Sequence, residues 1–214
     1  MYTSRHFAMA DERDMRAAIA RYGLATLVSH SPSEGLQATA VPVLFDPDDP
    51  SGQRLIAHMA RANPHWRAIA DDEAVLLLFR GPDAYVSPGH YRMEEDVPTW
   101  NYSAVQVRGR LAHARDAAEN RRVLERTVEH FEARLGTGWH LSGISAAVVE
   151  MYARGTASFS VVIDRMDAAH KMSQDKLRED VTAVITGLSA TEDEQARAVA
   201  EVMTSVTLVP GRHR

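Results

Sequence analysis

Three short groups of residues have the types and spacing to do chemistry. Arg61 and Asn63 lie in ARANPHW, Ala60 to Trp66, between a strand-like run and a helix start. Asn accepts an orphan backbone N–H there, and Pro64 is preorganised for the first helical position. Backbone N–H groups and the helix dipole favour an anion at such a point, and Arg61 adds the charge-assisted hydrogen bonds a phosphate needs. The plainer alternative is that Asn63 only caps the helix and Arg61 is solvated. The second group, Trp100, Asn101, Tyr102 and Ser103, sets aromatic rings beside amide and hydroxyl groups, as either a flat binding wall or the core of an ordinary hairpin. The third, Lys171-Met172-Ser173-Gln174, offers a cation and polar side chains to a planar, hydrogen-bonding ligand. Equally, Ser173 or Asp175 can cap a following helix beside a surface lysine.

Other chemistries are excluded by what the chain lacks. It has no G-x-G-x-x-G, Walker A loop, G-x-S-x-G elbow or H-E-x-x-H helix. With no cysteine, disulfides and thiolate-held metals are ruled out, and the ten histidines are scattered without ligand spacing. A net charge of −5 gives no general attraction to nucleic acid, leaving only a short basic tail, Gly211 to Arg214, as a local patch. No apolar run reaches membrane-spanning length, and the start, MYTSRHFAMADERD, has no signal-peptide core, so a cytoplasmic protein without membrane contact is expected.

The elements that must position these groups follow from periodicity. A helix is expected from Asp11 to Tyr22 with Gly23 as its stop, then strands over Leu24–Ser29, Leu36–Leu44 and Arg54–Met59. A short helix runs from Asn63 to about Ala70, and AVLLLF, Ala74 to Phe79, reads as a strand buried on both faces. Ala84–Gly109 reads as two strands flanking a polar linker, Arg92 to Asp96, with Pro88 and Pro98 at strand ends and the second strand reaching Leu111. The helix from Asp116 to Leu135 carries a stripe of Val123, Leu124, Thr127, Val128, Phe131 and Leu135. A short helix over Ile144–Tyr152, a strand over Thr156–Ile163 and helices over Asp175–Ile185, ended by Gly187, and Glu192–Met203 complete the chain. Strands and helices do not alternate regularly, which disfavours a doubly wound parallel sheet and favours an antiparallel barrel with helices outside.

HMARANPHW (His58 to Trp66), GPDAYVSP (Gly81 to Pro88), VPTWNY (Val97 to Tyr102) and KMSQDK (Lys171 to Lys176) occur in this order. Together they resemble the PaiB-type FMN-binding negative transcriptional regulators, a family similar to the pyridoxamine phosphate oxidase group. The resemblance implies an α+β, mainly β fold: a six-stranded antiparallel split β-barrel with peripheral helices. It would occupy residues 1–173, with a C-terminal helical segment, 174–214, packed on it. A homodimer with FMN at the subunit interface is also implied. By the same resemblance Arg61 and Asn63 would hold the FMN phosphate, with His58, Met59 and Ala60 adjoining, while Trp100, Asn101 and Tyr102 line the flavin and Lys171, Ser173 and Gln174 approach it.

The chain departs from the family at Gly89-His90, where Ser-Trp is usual, at Met172 for Leu and at Asp175 for Asn. The substrate-phosphate residues of the oxidases have no counterpart, so vitamin B6 oxidation is not implied. The expected function is a dimeric FMN protein sensing redox state or a metabolite. DNA is a partner only through the two terminal helices, and a mobile lid or specificity element is expected at Gly89–Asp96. A flavin-dependent reductase or oxidase is the alternative, and a haem-binding split barrel is ranked last.

Overall fold

The computed structural model describes residues 1–93 and 96–207. Residues 94–95, within the expected lid, and the basic tail Gly211 to Arg214 lie outside the described residues. Six strands close into one barrel in the order β1-β2-β3-β6-β5-β4. They are β1 Leu24–Ser31, β2 Gly35–Phe45, β3 Arg54–Ala60, β4 Glu73–Val86, β5 Thr99–His113 and β6 Thr156–Lys171. The helices are α1 Glu12–Tyr22, α2 His65–Ala68, α3 Ala117–Leu135, α4 Ala146–Arg154, α5 Arg178–Ser189 and α6 Glu194–Thr207. Pairing is antiparallel between β1 and both β2 and β4, and between β3 and both β2 and β6. The fold is the antiparallel split barrel with helices that the sequence resemblance implies.

The chain forms two compact units, Arg16–Phe79 with Gln106–Met166, and Met1–Met15 with Arg80–Val105 and the chain from Asp167 onward. In the first, strand alternation puts one residue in two into the core. Cross-strand partners Leu27 and Leu77, Ala25 and Phe79, Ala57 and Phe159, and Leu55 and Val161 are all buried. Each large side chain so buried contributes about 1.5–3 kcal/mol relative to exposure. AVLLLF obeys the same alternation rather than being buried on both faces. Val75, Leu77 and Phe79 are buried, while Leu76 and Leu78 are half-buried opposite Val28 and Thr26.

Helix α3 follows from its ends. Asp116 accepts the Glu119 N–H at 2.8 Å, Glu119 accepts the Arg115 N–H at 2.9 Å, and Gly136 closes the helix at φ 66°. Val123 packs against Leu44 and Ile56, and Arg122 reaches the buried Asp46 carboxylate at 3.0 Å. Leu135, expected on the buried stripe, is 72% exposed, because Gly136 ends the helix directly after it.

In the second unit, α5 and α6 bury Val184, Leu188, Val199 and Met203 against Ala84 and Val86 of β4 and against Met172. Two helix signals were misread. Gly187 does not end α5, which runs on to Ser189; a Cβ there would collide with the His90 ring, so its bareness makes room for His90. Neither Ser173 nor Asp175 caps α5, whose first residue is Arg178 and whose cap position, Leu177, makes no side-chain bond. Asp180, 1% exposed, accepts the N–H groups of Arg92 at 2.6 Å and Met93 at 3.0 Å and so fastens the described start of the linker to α5.

Gly109 of β5 lies against β6 so closely that a Cβ would strike the Val162 carbonyl and the Val161 side chain. Backbone cannot yield as a flexible side chain can, so Gly109→Ala is expected to cost at least the roughly 1–3 kcal/mol of overpacking. At about 2–4 °C per kcal/mol for a chain of this size, a thermal melt will show the drop. An unchanged melting temperature would refute the close approach.

Candidate cofactor site

The turn after β3 carries Arg61. Arg61 is held by three successive residues at the α4–β6 junction. Its backbone N–H donates to the Gly155 carbonyl at 2.8 Å, its Nε to that of Arg154 at 3.0 Å and its Nη2 to that of Thr156 at 2.8 Å. Its guanidinium carbon lies 5.2 Å from the Trp66 ring centroid, and the Trp66 indole N–H donates back to the Arg61 carbonyl at 2.7 Å. Nη1 takes part in none of these bonds.

Asn120 holds the junction in turn. The buried amide donates to the Ala153 carbonyl at 2.9 Å and accepts the Ser158 N–H at 2.9 Å, bracketing the segment that grips Arg61. A cavity of about 490 Å³ opens here, lined among others by Arg61, Trp66, Arg115, Asn120, Arg154 and Ser158. Arg115 pairs with Glu119 at 3.0 Å and Arg154 with Glu150 at 3.7 Å. Three guanidinium groups and the Trp66 ring share this lining with the carboxylates of Asp116 and Glu150, and one arginine is preset by carbonyls, a set that suits a ligand carrying both phosphate and ring.

Asn63 is turned inward. Its Oδ1 accepts the His65 N–H at 3.0 Å, starting α2, and its Nδ2 donates to the Thr39 hydroxyl at 3.1 Å. His65, 2% exposed, has Nδ1 at 2.7 Å from that hydroxyl and Nε2 at 2.9 Å from the buried Ser29 hydroxyl. His58 lies opposite Ser158 with its Nδ1 buried and without a hydrogen-bond partner. Met59 is buried in the core and Ala60 is exposed at the strand end.

The second unit holds the other expected residues. Trp100 is 50% exposed, donates its indole N–H to Asp83 at 3.0 Å and meets Tyr85 edge-on. Tyr102 is half-buried on the same strand face. Asn101 is fully buried and exchanges hydrogen bonds with Ser173 at 3.0 and 3.2 Å. Lys171 bonds the Thr99 hydroxyl and lies 5.9 Å from the Phe7 ring centroid. Gln174 accepts the Met172 N–H at 2.7 Å and donates to the His170 carbonyl. Trp100, Tyr102 and Lys171 therefore present surface, while Asn101 and Ser173 spend their polar atoms on each other.

Sequence reasoning missed Thr39, Ser29, Asn120, Arg115 and Arg154 as parts of the site. An amide on an otherwise charged helix was the one legible signal among them. The contributions of Arg154, Gly155 and Thr156 to Arg61 run through carbonyl groups, which every residue carries.

Residues 1–165 match the family model described as "Putative FMN-binding domain". The chain belongs to this PaiB-type FMN-binding family, and FMN is its cofactor. Protease synthase and sporulation protein PAI 2 of Bacillus subtilis is 29% identical over 205 residues, covering 95% of this chain and 96% of that one. Among solved structures, the FAD and heme binding protein of Mycobacterium smegmatis matches with a TM-score of 0.58 at 14% identity, over 82% of this chain and 79% of that one. The flavocytochrome Anf3 of Azotobacter vinelandii matches with a TM-score of 0.56 at 16% identity, over 79% and 72%. These two likenesses establish a shared fold.

Burial pushes the imidazoles of His58, His65 and His130 below their ordinary value of 6.5, with the Arg134 charge adding to the effect at His130. Between the lowered values and 6.5 the unfolded chain binds more protons than the folded one, so stability is full above about pH 6.5 and falls as pH drops below it. Thermal melts are expected to fall between about pH 7.5 and about pH 5.5. A His65→Gln variant is expected to show a shallower decline, and an equally steep one would remove His65 from the account.

Proposed function

We propose that this chain is a homodimeric FMN-binding regulator that reports redox state or a metabolite through its flavin. The observation that carries the cofactor half is Arg61, fixed by three carbonyl groups with Nη1 left over beside an aromatic ring. FMN, when bound, supplies reversible electron transfer at its ring. The residues of this chain bind and orient: Arg61 takes the phosphate, Trp100 and Tyr102 face the flavin, and Lys171 sets a cation near it. Asn101, Ser173 and Gln174 hold the strand end and the turn that carry these groups, through the bonds they make to one another and to backbone.

The regulatory half is supported by the relative across 95% of this chain, whose name ties it to protease synthesis and sporulation. Direct DNA contact would fall to α5 and α6, the two terminal helices. Dimerisation with FMN at the interface and a cytoplasmic location belong to the same proposal; among the described residues no helix is long and apolar enough to cross a membrane.

A visible spectrum of the purified protein, followed by FMN titration, is the first test. Hydrogen bonds to a charged group contribute about 1.5–3 kcal/mol, so Arg61→Ala is expected to weaken FMN about tenfold to a hundredfold. Trp100→Ala should weaken it less, and FMN affinity untouched by both changes would sink the assignment. Gel shifts on the upstream region of its own gene, with flavin oxidised and reduced and at several salt concentrations, test regulation. Anaerobic bleaching of the flavin by NADH or NADPH, without any shift, would make the protein a reductase instead.

A further inference from the structure

Next to Arg61 in sequence begins a polar chain, partly buried at Asn63 and Thr39 and buried at His65 and Ser29. Its members come from three elements: Ser29 on β1, Thr39 on β2, and Asn63 with His65 at the turn into α2. Donor counting orders its first link. Asn63 Oδ1 accepts the His65 N–H, so its Nδ2 is the end facing Thr39. The Thr39 oxygen accepts from that amide and can turn its own hydrogen to His65 Nδ1. With the Thr39 hydrogen on that side, the neutral imidazole would carry its proton on Nε2 and donate to Ser29; in the other tautomer both bonds run the opposite way and every partner is kept. Every member has a partner, as buried polar groups require.

This chain ends two residues from Arg61 and spans residues 63–65, the part of the turn that the α4–β6 carbonyls do not hold. We propose that Thr39, acting through His65 and Asn63, is a positioning residue that holds the turn so that Arg61 meets the FMN phosphate. The proposal rests on the assignment of Arg61 to that phosphate. Thr39 is well placed for the role because its one hydroxyl serves both the imidazole and the amide. Valine in its place keeps the shape and removes both bonds. Ser29 lies on the far side of the imidazole and is 4% exposed, so any effect of Ser29→Ala on the ligand passes through His65.

The test compares FMN with riboflavin, which has the same ring and no phosphate. Dissociation constants for both are measured by quenching of flavin fluorescence on wild type, Arg61→Ala, Thr39→Val, Thr39→Ser and Ser29→Ala, each checked for folding by circular dichroism. Thr39→Val is expected to weaken FMN about tenfold while riboflavin binding stays within about twofold, and Thr39→Ser to restore FMN binding. Ser29→Ala should show the same selective loss on a smaller scale, and it decides the matter where Thr39→Val does not fold. If Arg61→Ala abolishes the preference for FMN but neither Thr39→Val nor Ser29→Ala touches it, the positioning role is wrong and the Arg61 assignment stands. If wild type binds FMN no tighter than riboflavin, both are wrong.

Discussion

The grip of three consecutive carbonyl groups on Arg61 is the constraint on which the candidate site depends. A free arginine side chain loses about 2 kcal/mol of rotamer entropy when a ligand immobilises it. Here that ordering is done on folding, so an arriving anion meets a guanidinium already in place. The arrangement needs the chain at residues 154–156 to be fixed, which Asn120 does by bonding on either side of it. It also needs β3 and β6 in register, and they pair from Arg54 with Val162 to Ala60 with Thr156. Barrel, helix α3 and site are thus one mechanical problem.

Much of the scaffold was legible because local signals agreed with the final packing. Strand-forming runs between turn-rich segments located β1, β2 and β3, and the apolar stripe through Val123, Thr127 and Phe131 located α3. The failures have physical causes. Gly81-Pro82 reads as a break, yet β4 runs through it to Val86. The β1 register on β4 stops at Phe79, so at Pro82 that neighbour no longer asks for a donor. In the same way β6 continues past Ile163 through Asp164, Arg165 and Asp167, charges that suggest a loop but here sit on a strand's exposed or half-buried positions.

The site was legible as residue types and not as relationships. Arg61 and Asn63 could be picked from their place between a strand and a helix start. That one points to a cavity and the other into a buried network depends on Thr39 and Arg154, 24 and 93 residues away. Asn101 and Ser173 show the same limit. An amide and a hydroxyl suit a ligand as well as they suit each other, and only the fold shows that they are bonded together.

The strand β4 ends under a roof built by α5 and α6. The matched family model stops at residue 165, yet Ala84 and Val86 are covered by Met172, Val184, Val199 and Met203. Asn101 finds its partner at Ser173, also beyond that limit. The stretch that the family model covers is therefore shorter than the stretch that folds, although the Bacillus relative aligns over 95% of the chain. A protein shortened to the recognised part would bare an apolar floor and orphan a buried amide, so the terminal helices are as much a part of the flavin fold as the strands they shelter.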